Sequence, residues 1–376
     1  MKIRIDGTNT LNKGAELMLY AILEEIQKKC PKASVDFNSL RGNPELINTQ
    51  LDFKKPLYLK FARVFKGILR RVSSNLLHFP EFHFSGNVDL LLDASGFRHS
   101  DHWMHSDAYL NSLESYYSLL KKRGAKIILL PQAFGPFNTT NGKRSVDILN
   151  KYCDYIFARE DMSYQYLVDS GFDVDKVSVY SDFSITVKGV IPSKFINLKG
   201  YICVIPNERM VSHTSMTRDQ YIEKTCSLIN GLREINSKVF LLNHEGEQDL
   251  KLCNDINSYL EDKVSVVSGL NAKEIKGVIG NSSLVVSSRF HGVASALNQG
   301  VPCFATSWSH KYELLFKDFG LEDHLIDLND SPKVYISKIK NYIDDKDSIL
   351  LQVEKKGVIQ AEIDNLWAKV WSIAKI

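Results

Sequence analysis

Short apolar runs alternate with longer amphipathic stretches along almost the whole 376-residue chain, and this alternation constrains the fold more than any other feature. Apolar or β-branched runs fall at 3–5, 88–92, 126–130, 154–157 and 177–180, with helical patterns between them. The rhythm predicts βαβ units and parallel sheets. It resumes at 201–205, 239–242, 264–267, 284–287 and 301–305, separated by predicted helices near 217–236, 247–260 and 271–279. The second half repeats the plan of the first.

The length supports two domains, being about two and a half times the roughly 150 residues of a common one. Between the halves, VKGVIPSKFINLKG at 187–200 has glycines toward both ends, one proline and no clear period, and reads as a hinge linker. The expected organisation is an N-terminal α/β domain at 1–186, the linker at 187–200, a second α/β domain at 201–340, and helices at 341–376 packing across the junction. Two open sheets joined in this way are expected to face a central cleft. Ligands of such sheets bind beyond the carboxyl ends of the strands, so the loops there are the places to look for chemistry.

Charge and cysteine usage exclude several classes. With 47 Lys and Arg against 44 Asp and Glu, the net charge of +3 is too near balance for a chain whose affinity comes from neutralising many phosphates of a nucleic acid. Six scattered cysteines without a C-x-x-C pair suggest neither a zinc ribbon nor a disulfide framework. The chain opens directly on a strand pattern and no apolar run reaches the roughly 18 residues of a membrane span, so a cytosolic protein is expected. One segment, from Lys54 to Arg71, carries seven basic residues and no acid. Its apolar face suits either an anionic lipid surface or the protein's own core.

Five loops stand out. DGTNTLNKGAE at 6–16, with Asn9, Asn12 and Gly14, precedes a helix and suits an anion at its N-terminus or a plain capped turn. LLLDASGFRHSDHWMHSD at 90–107 ends a buried strand in Asp93 and then spaces His99, His102 and His105 by three. That spacing is weak evidence for a metal, and polar contact with a sugar is the favoured reading, with solvated surface the alternative. LLPQAFGPFN at 129–138 supplies Gln132 and Gly135 as a backbone-lined wall. Arg159 in FARED stands at a strand end, placed either to fork onto a carboxylate or phosphate or to pair with Glu160 or Asp161. Asp173 and Asp175 read as turn chemistry rather than a metal-nucleotide site.

The sharpest segment is LVVSSRFHGVASALNQGVPCFATSWSHK at 284–311. It reads as strand, loop, helix, glycine stop and strand, and it puts Arg289 and His291 at a helix N-terminus. An anion there meets backbone N–H groups, a cation, and an imidazole, the side chain suited to proton transfer near neutrality. His310 and Lys311 follow the next strand as further cations on the same rim.

This segment, with its R-F-H-G core and G-V-P exit, resembles the polysaccharide pyruvyl transferases. GTNTLNKGAELML, QAFGPF, FAREDMSYQYL, YSDF and LLNHEGEQD resemble further elements of that family in order, while DASG replaces its glycine triplet and Gly14-Ala15-Glu16 its usual Gly-Asp. The resemblance implies two Rossmann-like domains of the glycosyltransferase-B type, with the acceptor side N-terminal and the donor side C-terminal. It implies transfer of pyruvate from phosphoenolpyruvate onto two hydroxyls of a sugar in a surface or capsular polysaccharide precursor, as a cyclic ketal. By motif, Arg289 and His291 become the donor pair with His291 the general acid. Ser288, Arg159, His310 and Lys311 join the donor site, and Asp93 or Asp182 is the base. The acceptor loops comprise Asn9, Asn12, Gly14, Asp93, His99, His102, Gln132, Gly135 and His244. No metal or cofactor is required, since cations neutralise the donor. If the basic segment touches membrane, a lipid-linked acceptor is implied. A nucleotide-sugar glycosyltransferase of the same architecture and a non-catalytic carbohydrate-binding protein remain as alternatives.

Overall fold

The computed structural model describes residues 1–37, 88–306 and 311–376. The basic segment 54–71 and His310 therefore lie outside the described residues. The chain divides into two units, Met1–Ser184 with Glu362–Ile376, and Ile185–Ala361.

The first unit runs β1 (Lys2–Asp6), α1 (Lys13–Lys29), β2 (Ser34–Phe37), β3 (Leu90–Asp93), α2 (Asp107–Lys122), β4 (Lys126–Gln132), α3 (Thr140–Tyr152), β5 (Tyr155–Ala158), α4 (Asp161–Asp169) and β6 (Val177–Val179). Its sheet is wholly parallel in the order β2-β1-β3-β4-β5-β6. All four residues of β3 and of β5 are buried, as expected of strands covered on both faces. Pro131 lies within β4, where it cannot donate to the ladder, and the register against β5 shifts between Leu129 and Gln132. The chain's last residues complete this unit. Trp367 meets Phe183 edge-on with centroids 5.7 Å apart, and Glu362 accepts the Ser181 N–H at 2.6 Å.

The second unit contains β7 (Ile202–Ile205), α5 (Arg209–Ser212), α6 (Arg218–Leu232), β8 (Val239–Leu242), α7 (Gly246–Tyr259), β9 (Ser265–Val267), α8 (Ala272–Gly280), β10 (Leu284–Ser287), α9 (Phe290–Leu297), β11 (Cys303–Thr306), α10 (Lys311–Phe319), β12 (Leu325–Ile326), α11 (Pro332–Asp344) and α12 (Lys346–Ala374). The division between units falls inside α12. The parallel sheet is ordered β12-β11-β10-β7-β8-β9, so strand order reverses between β7 and β10. In the first unit the reversal lies between β1 and β3. These are the two places where a sheet of this kind leaves a crevice for a ligand.

The segment 187–200, read above as a hinge linker, is instead packed into the second unit. The Val190 N–H donates to Lys273 O at 2.9 Å, Leu198 is buried, and Ser193–Leu198 forms a 3-10 helix. Gly189 serves close approach, since a Cβ there would stand 2.4 Å from the Gly277 nitrogen, whereas Gly200 takes the left-handed region at φ +78° with open space around it. Among the described residues, no helix is long and apolar enough to cross a membrane.

Candidate active site

In the second unit, the crevice between β7 and β10 is bordered by Asn207 and by the corner from Ser287 to His291. Ser287 builds this corner. Its hydroxyl accepts the Arg289 N–H at 3.0 Å and donates to Arg289 O at 2.9 Å. Arg289 is then the extended N-cap residue of α9, and His291, partly buried, is the second residue of that helix. The orphan N–H groups of the first turn open here, a place that favours negative charge. Phe290 meets the His291 ring edge-on, with centroids 5.7 Å apart.

Gly292 lets α9 come this close. A Cβ there would lie 2.6 Å from Ser287 Oγ and 2.9 Å from Ile205 Cδ1. Alanine for glycine inside a helix gains about 1 kcal/mol of propensity, but overpacking costs about 1–3 kcal/mol, and Ser287 cannot yield while it holds both ends of Arg289. Gly292→Ala is therefore expected to lower stability by about 1 kcal/mol net. An unchanged or raised urea midpoint would show that the corner tolerates the methyl group.

Arg289 is not an unclaimed cation. Its Nε donates to Asp249 at 2.7 Å and a terminal nitrogen approaches the same carboxylate at 2.5 Å, while the other terminal nitrogen donates to Glu245 at 2.7 Å. Both acids come from the β8–α7 corner, and Asp249 also accepts the Glu208 N–H at 3.1 Å. Burial pushes the Asp249 carboxyl up, and Arg289 opposes this. Arg289 thus carries two resident carboxylates that its position in the sequence does not announce.

Ser288, expected to touch the donor, is 4% exposed. Its hydroxyl bonds Tyr221 Oη at 2.7 Å and the Thr306 hydroxyl, and its carbonyl accepts from Asn207 Nδ2 and Tyr312 Oη, both at 2.8 Å. It pins the corner from beneath. His244 is likewise buried, at 3% exposure, and is no surface contact for an acceptor. Lys311 opens α10.

In the first unit, Asp93 ends β3 with no exposure. It accepts from Ser95 N at 2.9 Å, Ser95 Oγ at 2.6 Å, Arg98 at 2.9 Å and Gln132 Nε2 at 3.5 Å. Burial by itself would raise its pKa, but Arg98, aided by the Ser95 bonds, holds it below the usual carboxylate range. A carboxylate committed in this way is not placed to take a proton from an acceptor hydroxyl, which corrects its assignment as a base. Gln132 is equally buried. A Cβ on Gly135 would stand 2.6 Å from Tyr166, so that loop is packed inward.

The three histidines diverge. His99 has no exposure, bonds Ser145 Oγ at 3.2 Å through Nδ1 and stacks on Phe134, so it is a core residue and not an acceptor contact. His102 is exposed and stands edge-on to Trp103 at 5.2 Å. His105 bonds Arg98 O at 2.8 Å and stacks on Tyr109. Among the described residues, no three His, Cys, Asp or Glu side chains gather where a metal ion would sit.

Burial pushes the His99 pKa down to about 3 from 6.5. The unfolded chain therefore binds this proton first as pH falls, so its contribution to stability is complete above 6.5 and is lost progressively toward 3. Between pH 6.5 and 4.5 the loss from this one group is expected to be about 2 kcal/mol. His324, in the second unit, is pushed down to about 4 by burial and acts in the same direction. The two are separated by comparing His99→Gln with the parent: equal slopes of urea stability against pH would refute the assignment.

The remaining expected residues make local contacts. Asn9 accepts from the N–H groups of Leu11 and Asn12, and Asn12 caps α1 through Ala15 N at 3.0 Å. Gly14 is buried in the first turn of α1. Arg159, 36% exposed, pairs with Glu160 at 3.3 Å, the surface ion pair weighed above. Asp182 accepts the Ser184 N–H at 2.9 Å in a turn. Sequence reasoning missed Glu245, Asp249 and Asn207. The first two are four apart in the loop singled out for His244, a spacing that brings two acids to one side of a helix start.

Two units, each a doubly wound parallel sheet, define the class as two Rossmann-like domains of the glycosyltransferase-B kind, and solved structures agree. HepE of Anabaena, determined in complex with UDP-glucose, is 17% identical over 99% of both chains, with a TM-score of 0.54. The UDP-GlcNAc 2-epimerase of Methanocaldococcus jannaschii is 13% identical over 92% of this chain and 93% of its own, with a TM-score of 0.56. That of Neisseria meningitidis, bound to UDP-GlcNAc, is 11% identical over 94% of each, with a TM-score of 0.55. At these identities the likeness concerns the fold. The comparison with curated proteins gives no match. The polysaccharide pyruvyl transferase family profile matches residues 12–310, and the chain belongs to that family.

Proposed function

We propose that the protein transfers pyruvate from phosphoenolpyruvate onto two hydroxyls of a saccharide, forming a cyclic ketal and releasing phosphate. The observation that carries this reading is the family match, which runs through the Arg289–His291 corner at the strand-order reversal of the second unit. A proton added to C3 of the enol gives C2 oxocarbenium character. One sugar hydroxyl adds to C2 with loss of its proton, and the second displaces phosphate with loss of its own. His291, on the first turn of α9, is the candidate donor of the C3 proton. The helix N-terminus favours the donor's phosphate or carboxylate, and Lys311, together with His310, is proposed to support it.

On the acceptor side the exposed pair His102 and Trp103 offers a polar and aromatic surface suited to a sugar, whereas Asp182 remains the more accessible of the two bases considered. Incubation with phosphoenolpyruvate and a saccharide panel, followed by phosphate assay and mass spectrometry, tests the proposal. Phosphate release must depend on a saccharide and match the ketal formed. A nucleotide-sugar transferase is the second reading, favoured by the UDP-glucose bound in the HepE structure. Turnover that requires a nucleotide sugar would replace the first reading with the second. Saccharide binding without turnover on either donor would indicate a binding protein.

A further inference from the structure

We infer that Glu245 is a resident carboxylate on Arg289 that must leave when a substrate anion binds, and that it thereby sets the affinity of this corner for its donor. The inference takes from the proposed function only that the corner receives an anion.

Arg289 presents two edges that differ in what their release would cost. One is closed on Asp249, whose side chain is 1% exposed, through contacts of 2.7 and 2.5 Å. The other nitrogen is taken by Glu245 at 2.7 Å, and this side chain keeps 26% exposure. Drawing the guanidinium away from Asp249 strands a buried charge, whereas Glu245 can turn to water at the cost of a partly exposed ion pair. Asp249 is the fixed anchor and Glu245 the exchangeable partner.

The local backbone does not depend on the Glu245 carboxylate. Glu245 occupies the N-cap of α7 but makes no side-chain cap bond to that helix. Its backbone is extended, and Gly246 follows in the left-handed region at φ +72° with open space around it. The turn into α7 is made by that glycine.

Among the described ion pairs of Arg289, one guanidinium serves two carboxylates, so an incoming anion competes with Glu245 for the same terminal nitrogen. A planar carboxylate or a phosphate makes the same charge-assisted contact with a terminal nitrogen that Glu245 makes now. The acid therefore keeps the cation oriented and desolvated between turnovers, and discriminates against anions too weak to displace it.

The test is calorimetric titration of the full chain with inorganic phosphate and, separately, with phosphoenolpyruvate, in the parent, Glu245→Gln and Glu245→Ala. Both probes are expected to bind about tenfold more tightly to Glu245→Ala, with a smaller gain in Glu245→Gln, whose amide still accepts a bond from Arg289. Should the alanine variant unfold, the glutamine variant decides. Unchanged or weaker binding in folded variants overturns the inference. Tighter phosphate binding without pyruvyl transfer to any saccharide would support it while the donor reading fell. Pyruvyl transfer with unchanged affinities would do the reverse.

Discussion

Arg289→Ala is expected to lower stability by about 3 kcal/mol and to abolish measurable turnover, because the substitution removes the only charge seen to balance Asp249 among its described ion pairs. Breaking a buried pair costs about 3–5 kcal/mol when the charge left behind has no substitute. The lower end applies because Glu245, the other partner, is 26% exposed and regains water. Arg289→Lys keeps the charge but not the fork, so it serves one acid and leaves the other, with an intermediate loss. The decisive comparison is the double variant Arg289→Ala with Asp249→Asn. Removing the stranded charge should restore roughly half of the lost stability, a positive coupling that a simple loss of packing would not produce. Urea midpoints at constant m-value are the measurement. A midpoint within experimental scatter of the parent would mean that this ion triad does not hold the corner together.

The sheets were legible because parallel strands covered on both faces leave unbroken apolar runs, and each of the ten runs read from sequence overlaps a strand. The two missed strands lie at sheet edges. β2 is only SVDF, with Asp36 turned to Arg4, and β12 is two residues long. Neither carries enough buried surface to leave a pattern. The Arg289–His291 corner was legible for a local reason: strand, short loop and helix are consecutive in sequence, so position alone fixes where both residues stand.

What was not legible is partnership across long separations. Asp249 and Glu245 precede Arg289 by 40 and 44 positions, and only the parallel order β10-β7-β8 brings their loops to it. The histidine spacing carries little information for a related reason. Between His99 and His105 lie a 3-10 turn at Asp101–Trp103 and Met104 in the left-handed region at φ 45°, so a period of three does not stay on one face. One ring goes to the core, one to solvent and one to the carbonyl of Arg98. The family motif offers Asp93 or Asp182 as the base, but Arg98 and Ser95, within five residues of Asp93, already bond its oxygens, and no pattern of residue types announces that.

His291→Ala separates chemistry from architecture at that corner. Alanine is a better helix former than histidine, which offsets the loss of the ring's contact with Phe290, so stability is expected to stay within about 1 kcal/mol. Turnover, under the proposed reaction, should fall by about 10²–10⁴, the usual share of a positioned general acid, with a much smaller change in the Michaelis constant for phosphoenolpyruvate. The split between the two constants is the informative quantity. A residue that merely lined the donor site would raise the Michaelis constant and spare turnover, whereas one needed to protonate C3 acts only where charge develops in the transition state. His291→Gln sharpens the comparison, since it keeps a polar side chain of similar size but cannot deliver a proton, and it should be as slow as the alanine variant. A glutamine variant that retains most of its turnover would move the acid elsewhere and leave His291 a binding residue.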